Sequence, residues 1–284
     1  MRTVDILIIG GGAAGIAAAK SAWAAGCRRI AVADRKKALG GVLLQCLHRG
    51  FGQEQNGPEY TQNLLQDFPD DILFLENTTV LSVTKEKTAR LSGGREIRFD
   101  QLILATGCRE TPIGALPVGG TRPKGIYTAG QMQERMNLYG CIPEGPVVIL
   151  GSGDLGLVMA NHLAQAGLAV TLVEQKAAIG GMARNRKCLE TYPIRTVLNG
   201  TVTEVLGEQE LEGCVLSTGE RIACKTLLTA VGLIPDRVLV RELDNPDWLQ
   251  LCGNCSRVHP MVEAVVNEGK LAGITAWERI RGKI

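Results

Sequence analysis

The 284-residue sequence lacks the features of several protein classes. It has no run of the ~18 to 20 apolar residues that a membrane-spanning helix needs, so no direct membrane span is expected. It has only three histidines and no cluster of metal-ligating residues, so no metal site is expected. Its formal net charge is +2, which argues against nucleic acid or another polyanion as the partner.

The cysteines do not form a disulfide framework. There are nine of them, an odd number, and they are scattered singly apart from the close pair Cys252 and Cys255. This usage favours a reducing, cytoplasmic location. Glycine, by contrast, is abundant: 35 of the 284 residues are glycine, which is about 12% against a usual ~7%. Without a collagen period or a low-complexity run, this excess indicates many tight backbone approaches.

Two segments of the chain share one pattern. The first begins at Asp5 and reads DILIIGGGAAGIAAAKSAWAAGCRRIAVADR; the second begins at Val147 and reads VVILGSGDLGLVMANHLAQAGLAVTLVEQ. Each has an apolar run, a glycine-rich turn, an alanine-rich helix and a second apolar run that leads to an acid, which is typical of a β-α-β unit. The later stretches DQLILATGCRETP and KTLLTAVGLIPD also match. The length and this repeat together predict two dinucleotide-binding domains.

The glycine spacing supports this prediction. In such a turn, the first glycine permits the tight bend, the second lets the backbone approach a pyrophosphate, and the third lets helix and strand pack closely. An acid about 20 residues further on accepts hydrogen bonds from a ribose hydroxyl. The sequence places these residues at Gly10, Gly12, Gly15 and Asp34 in the first copy, and at Gly151, Gly153, Gly156 and Glu174 in the second.

These motifs resemble the two-dinucleotide flavoproteins of the pyridine nucleotide-disulfide oxidoreductase family over essentially the whole chain. LILATGCRETP, from Leu102, is similar to the second flavin motif of the family, and AVGLIPD, from Ala230, is similar to its nicotinamide-domain equivalent. Gly253 and Asn254 stand where the family usually has Gly-Asp, so the charge of the acid is missing. Together with GGVLLQCLHRGFG, from Gly40, this departure resembles the branch associated with anaerobic glycerol-3-phosphate dehydrogenase, opine oxidase and hydrogen cyanide synthase subunits.

The resemblance implies an α/β fold with two Rossmann-like, three-layer ββα domains of thioredoxin-reductase-like size, without a C-terminal interface domain. It implies an FAD-binding domain of residues 1–112 and 241–284 and an NAD(P)H-binding domain of residues 113–240. An antiparallel meander is expected between Phe74 and Phe99. The implied FAD-binding residues are Gly10, Gly12, Ala14, Gly15, Asp34, Arg35, Gly41, Gln45, Ala105, Thr106, Gly107, Gly253 and Asn254. The implied nicotinamide-binding residues are Gly151, Gly153, Asp154, Gly156, Glu174 and Gly232.

The implied function is that of an FAD-dependent NAD(P)H oxidoreductase, which passes electrons to or from a partner redox protein or a small substrate within a dehydrogenase complex. The partner would be a second flavoprotein or an iron-sulfur subunit, and a homo-oligomer is left open. NAD(H) is favoured over NADP(H) because Glu174 would repel a 2′-phosphate. Arg184, Arg186 and Lys187 would offset this preference if their loop folds back. The alternatives are a single-cysteine disulfide reductase or NADH oxidase or peroxidase, and a non-catalytic scaffold subunit.

Cys46 and His48 are the candidate catalytic residues. If their segment is strand-like, side chains two positions apart face the same side, so both would lie beside the isoalloxazine. A thiolate and a protonated histidine there would tune or protect the flavin without forming a local disulfide, because no second cysteine follows until Cys108. The alternatives are a small buried cysteine and a core histidine. A redox dithiol at Cys252 and Cys255 also remains an alternative.

Overall fold

Residues 2–282, which are described in the computed structural model, form eighteen strands and seven helices. The strands are β1 (Arg2–Ile9), β2 (Ile30–Ala33), β3 (Leu73–Leu75), β4 (Val80–Val83), β5 (Thr88–Leu91), β6 (Glu96–Leu104), β7 (Cys108–Glu110), β8 (Gly119–Gly120), β9 (Ile126–Thr128), β10 (Val147–Leu150), β11 (Val170–Val173), β12 (Arg195–Val197), β13 (Val202–Leu206), β14 (Gly213–Leu216), β15 (Arg221–Ala223), β16 (Thr226–Thr229), β17 (Leu233–Pro235) and β18 (Leu249–Leu251). The helices are α1 (Ala13–Ala24), α2 (Gly57–Leu65), α3 (Ala129–Tyr139), α4 (Asp154–Gln165), α5 (Ala183–Arg186), α6 (Cys188–Thr191) and α7 (Val262–Ile280).

The chain divides into two compact units. The first is Met1–Arg109 with Ile234–Ile284, and the second is Glu110–Leu233. In the first unit the sheet order is β3-β2-β1-β6-β5-β4, and β18 also pairs with β6. In the second, a parallel sheet has the order β12-β11-β10-β16-β9. In both sheets, the strand that precedes the glycine-rich turn is central and has the second strand of the repeat beside it.

The central strand β1 is buried on both faces. Leu7 and Ile9 belong to one core cluster, whereas Ile6 and Ile8 belong to another that includes the alanines of α1. Because successive side chains of a strand point to opposite faces, the unbroken apolar run of β1 fills two cores at once. The strand therefore ends at a fixed place in the sheet, and the turn that follows it emerges at the carboxyl edge, where ligands bind in such folds.

Antiparallel strands complete each unit. In the first, β4, β5 and β6 pair antiparallel, which is the meander expected between Phe74 and Phe99. In the second, a separate sheet of order β15-β14-β13-β8 packs its apolar side chains against Val148 and Leu150 of β10. Val147 and Ile149 face a different cluster, to which helices α3 and α4 contribute. The second unit therefore has two sheets and a helical layer.

Helix α7 packs against α1 through small residues. A Cβ atom on Gly269 would overlap the carbonyl oxygen of Ala14, and one on Gly273 would overlap that of Ala18. Only glycine lets the helix backbones approach this closely. Because β18 and α7 return to the first unit after the second has been completed, this packing brings the segment around Gly253 next to Ala14.

The boundaries of the units differ from the predicted ones, which lie after residues 112 and 240. Residues 234–240 lie with the first unit because Val240 belongs to its core and because Asp236 N donates a hydrogen bond to Gly107 O at 3.0 Å. Arg237 Nε also donates to Cys255 O at 2.6 Å. Glu110 lies with the second unit, where its carboxylate accepts hydrogen bonds from Gly130 N.

Candidate dinucleotide-binding sites

The chain itself requires the first and third glycines of the first turn. Gly10 has a φ of +105°, and a Cβ atom there would overlap the carbonyl oxygen of Ala105. A Cβ atom on Gly15 would overlap the carbonyl oxygen of Gly10. The second copy repeats this pattern, because Cβ atoms on Gly151 and Gly156 would overlap Ala230 O and Gly151 O. These glycines close the turn against the neighbouring strand.

The middle glycine of each turn has no such explanation within the chain. Gly12 and Gly153 have φ values of −78° and −65°, which any residue adopts. The nearest atom to a Cβ on Gly12 is Gly41 Cα at 3.9 Å, and no atom lies within 4 Å of a Cβ on Gly153. Both positions border open space at a helix N-terminus. A ligand that approaches the main chain needs this space, so the residues fit a pyrophosphate at both turns.

The acid of each unit holds its glycine turn. Asp34 Oδ2 accepts a hydrogen bond from Gly11 N at 2.6 Å, and Oδ1 accepts one from Lys36 N at 2.8 Å. Glu174 Oε2 accepts from both the main-chain N and the hydroxyl of Ser152, and its Oε1 accepts from Lys176 N at 2.9 Å. Both oxygens of Asp34, and Oε1 of Glu174, accept one of these hydrogen bonds each and can accept a further one, so these contacts leave room for a ribose hydroxyl.

Glu174 is 9% exposed. Burial alone would raise its pKa, but hydrogen bonds from the Ser152 hydroxyl and from the main-chain amides of Lys176 and Ser152 outweigh burial, and the pKa is lowered. The carboxylate is therefore ionised at neutral pH. A ligand at this position meets a fixed negative charge.

A glycine pair follows the acid in each unit. Gly40 and Gly41 have φ values of +127° and +58°, and Gly40 N donates a hydrogen bond to Gly11 O at 2.7 Å. In the second unit, Gly180 N donates to Ser152 Oγ at 2.8 Å. Only the first pair was predicted from the sequence motifs. The second stands at the same distance from its acid, since Gly180 follows Glu174 by as many residues as Gly40 follows Asp34. Extending the repeat past the acid would have found it.

The segment with Cys46 and His48 is not strand-like, so that expectation is wrong. Gly41–Gln45 forms a 3₁₀-helix, because positive φ values at both glycines turn the chain back on itself. Cys46 is buried, and its Sγ donates a hydrogen bond to Val42 O at 3.3 Å. The ring of His48 lies 5.3 Å from that of Phe51. Gln45 is buried as well, whereas Arg35 is exposed.

The thiolate expected at Cys46 is also wrong. Burial raises the pKa of Cys46 to about 12, so this side chain is a neutral thiol at physiological pH. A neutral, buried thiol packs as a small apolar group and is a poor nucleophile.

The second flavin motif lies beside the first turn. Ala105 is buried, and Gly107 has a φ of +75°. Thr106 Oγ1 donates a hydrogen bond to Asp236 O at 2.6 Å. In the second unit, Gly232 has a φ of +144°, and its carbonyl oxygen accepts from Thr111 N at 3.1 Å.

The third motif has an acid that the sequence pattern did not reveal. Gly253 has a φ of +67°, and its N–H donates a hydrogen bond to Glu268 Oε2 at 2.9 Å. Glu268 Oε1 lies 3.0 Å from His259 Nε2 and 3.4 Å from Arg257 Nε. Asn254 Oδ1 accepts from His259 N at 3.0 Å. A carboxylate from α7 therefore contacts the main chain of this motif, and the packing of that helix brings it there.

The cysteine pair of this motif is not arranged as an accessible dithiol. Cys252 and Cys255 are both fully buried, and Cys255 Sγ donates a hydrogen bond to Leu104 O at 2.9 Å. Burial raises the pKa of both thiols.

Among residues 2–282, no group of three or more His, Cys, Asp or Glu side chains is arranged to hold a metal ion. Within the same residues, no helix is long and apolar enough to cross a membrane.

Residues 4–246 match the family model described as pyridine nucleotide-disulphide oxidoreductase. The chain belongs to this family. The identification made from the sequence motifs is thus confirmed, as is the assignment of the chain to the flavoprotein oxidoreductases.

Relatives of this oxidoreductase include subunits of larger enzymes. An opine oxidase subunit of Agrobacterium tumefaciens (strain Ach5) is 30% identical over 278 residues, which cover 83% of this chain and 53% of the relative. The hydrogen cyanide synthase subunit HcnB of Pseudomonas protegens is 27% identical over 281 residues, which cover 85% of this chain and 59% of the relative. The chain spans about half the length of the curated relatives that it matches.

A solved structure with the same fold is thioredoxin reductase of T. acidophilum. The two chains superpose with a TM-score of 0.80 at 20% sequence identity, covering 99% of this oxidoreductase and 100% of that chain. The predicted α/β fold class of thioredoxin-reductase-like size is therefore confirmed. At this identity the likeness concerns the fold alone.

Proposed function

We propose that the chain is an FAD-dependent NAD(P)H oxidoreductase. In this proposal, the first unit holds FAD and the second holds the pyridine nucleotide. Together the bound cofactors supply hydride transfer between the nicotinamide and the flavin. Electrons pass to or from a partner redox protein or a small substrate.

The observation that carries this proposal is the open space beside Gly12 and Gly153. In both units the flanking glycines are required by the chain itself, whereas the middle one is required only if a ligand approaches the main chain. Two such cradles in one chain suit two dinucleotides. The main-chain amides at the N-termini of α1 and α4 would bind the pyrophosphates.

The other site residues would orient the ligands. Asp34 and Glu174 have the capacity to accept a hydrogen bond from a ribose hydroxyl. Because Glu174 is ionised, it would repel a 2′-phosphate, so we propose a preference for NADH over NADPH. Glu268, through Gly253 N, would hold the third motif beside the first turn. Cys46, with His48 as its neighbour, would line the flavin as a neutral thiol that excludes water.

The names of the relatives support a role within a complex. Two of them are subunits of an opine oxidase and of a hydrogen cyanide synthase. We propose that the partner is a second flavoprotein or an iron-sulfur subunit. The rival function, a disulfide reductase or oxidase that uses Cys46, fits the structure less well, because a buried thiol with a pKa of about 12 is a poor nucleophile.

The test is an anaerobic titration of the purified protein, followed by flavin absorbance. We expect a yellow protein with non-covalent FAD, reduced by NADH more readily than by NADPH. Flavin that neither nucleotide reduces would contradict the proposal and favour a non-catalytic scaffold. Rapid consumption of oxygen by the isolated chain with NADH would favour the oxidase function instead.

A further inference from the structure

A cationic segment lies beside the glycine turn of the second unit. Arg184, Arg186 and Lys187 are all exposed and occur within four positions of the sequence. The start of their segment is fixed to the turn, because Gly180 N donates a hydrogen bond to Ser152 Oγ at 2.8 Å. The loop therefore folds back on the turn, which is the condition under which these cations would act on a bound nucleotide.

Asp154 holds the segment from the other side. Its Oδ1 accepts a hydrogen bond from Met182 N at 2.7 Å and another from Asn185 Nδ2 at 2.6 Å. Asp154 is the first residue of α4, next to Gly153. A carboxylate there places a negative charge at the end of the cradle where a phosphate would bind, which opposes binding unless other groups compensate.

At the equivalent positions, the first unit has neither the acid nor the cations. Its helix α1 begins with Ala13 in place of Asp154, and Leu44, Cys46 and Leu47 stand where the second unit has Arg184, Arg186 and Lys187. The acid and the cationic segment thus occur together in one copy of the repeat and are absent together from the other. In the second unit the acid is joined to the cationic segment by the hydrogen bonds from Met182 N and Asn185 Nδ2.

We propose that Asp154 is a positioning residue, which holds Arg184, Arg186 and Lys187 against the phosphates of a bound pyridine nucleotide. The proposal rests on the proposed function of the second unit. The segment contributes three positive charges and the two acids Asp154 and Glu174 contribute two negative ones, so the formal charge of this set of five side chains is positive. The phosphate that they contact is either the pyrophosphate of any pyridine nucleotide or the 2′-phosphate of NADP.

Two substitutions of the same residue separate the hydrogen bonds from the charge. Asp154→Asn keeps an oxygen acceptor for Met182 N and Asn185 Nδ2, whereas Asp154→Ala removes it. Calorimetric titration of the FAD-loaded protein with NAD⁺ and with NADP⁺, at low and high salt, measures binding without turnover. We expect Asp154→Ala to weaken binding about ten-fold at low salt and to reduce its salt dependence. Asp154→Asn should bind at least as tightly as the wild type, because it removes only the opposing charge.

The triple variant Arg184→Gln, Arg186→Gln, Lys187→Gln removes the exposed cations themselves and leaves Asp154 in place. It should weaken nucleotide binding as much as Asp154→Ala does. Because both changes act on the same contacts, the variant that combines them should lose no more affinity than either alone. A larger loss for NADP⁺ than for NAD⁺ would assign the cations to the 2′-phosphate, and an equal loss would assign them to the pyrophosphate; both support the proposal.

The opposite results would overturn it. Equal weakening by Asp154→Asn and Asp154→Ala, or unchanged binding by the triple variant, would show that Asp154 does not act through the cations. If the wild type binds neither nucleotide, the proposed function of the second unit fails, and this inference fails with it.

Discussion

The two units use one backbone plan for their turns but different side chains around them. In both, an acid braces the second residue of the turn, and a glycine pair returns to the same place. From Gly41, the second glycine of the pair, the first unit continues with a 3₁₀-helix that buries Leu43 and Gln45. The second continues with the short helix α5, whose arginines are exposed.

The features that the two units share would fit any dinucleotide, whereas the segments that differ would distinguish one ligand from the other. In the proposed function, the turn, the acid that braces it and the returning glycine pair would serve a pyrophosphate and a ribose, which both proposed ligands contain. An apolar, buried segment suits a large planar ring, whereas a cationic, exposed segment suits phosphates. We therefore propose that the segments that differ set the specificity of the two cradles, and substitutions in each unit test this comparison.

The largest effect is expected within the first turn. Gly15→Ala places a Cβ atom against the carbonyl oxygen of Gly10, where the backbone cannot give way, so the free energy of unfolding should fall by about 3 kcal/mol.

Gly12→Ala meets only open space, so the protein should fold and yet lose flavin; Gly12→Val should lose it completely. Urea denaturation and flavin absorbance measure the two effects. Full flavin content in Gly12→Val would refute the placement of FAD in the first unit.

The same position in the second unit should affect only the nicotinamide. Gly153→Val should leave flavin content unchanged but slow its reduction by NADH by about ten-fold or more, because the added side chain displaces the pyrophosphate. Gly114→Val is the control, since a Cβ atom there also meets nothing within 4 Å and lies outside the cradle. Stopped-flow absorbance gives the rates. Loss of flavin in Gly153→Val would mean that the two cradles are not independent.

A smaller effect is expected from Glu174→Gln. Removing the charge should shift the ratio of NADPH to NADH affinity toward NADPH by about ten-fold, or ~1.4 kcal/mol. Glu190→Gln, in the first turn of α6, is the control. An unchanged ratio would show that Glu174 only braces the turn.

The same variant has a pH signature in stability. Because the pKa of Glu174 is lowered in the folded state, its contribution to stability is present above the unfolded pKa and is lost as the pH falls through the folded pKa. The wild type should therefore exceed Glu174→Gln in stability more at neutral pH than at acid pH. A constant difference would mean that the folded carboxylate titrates normally.

The smallest effect is expected from Cys46→Ser. Full reduction should take about two electrons per FAD in the wild type and in the variant, because the flavin alone accepts them. At neutral pH, an alkylating reagent should label the exposed Cys141 of the folded protein much faster than Cys46, because Cys46 is buried and its pKa is raised. Four electrons in the wild type, falling to two in the variant, would show a disulfide at Cys46 and contradict a role within a larger complex.

The sequence by itself determined the class and repeat of this protein. The apolar runs, the glycine spacing and the terminal acids are local patterns, because each is set by neighbouring residues along one strand, turn or helix. Gly10, Gly15 and their counterparts in the second unit could be predicted for this reason. The same local information, applied past Asp34 and Glu174, would have revealed the second glycine pair.

The tertiary structure alone decided the contacts between distant parts of the chain. Glu268 reaches Gly253 only because the glycines of α7 let that helix pack closely on α1. The neutral state of Cys46 follows from burial, which no local pattern reports. Asp154 turns toward Met182 because Ser152 and Gly180 bring the loop back to the turn. Burial and long-range hydrogen bonds depend on which surfaces meet, and this is settled only when the whole unit packs.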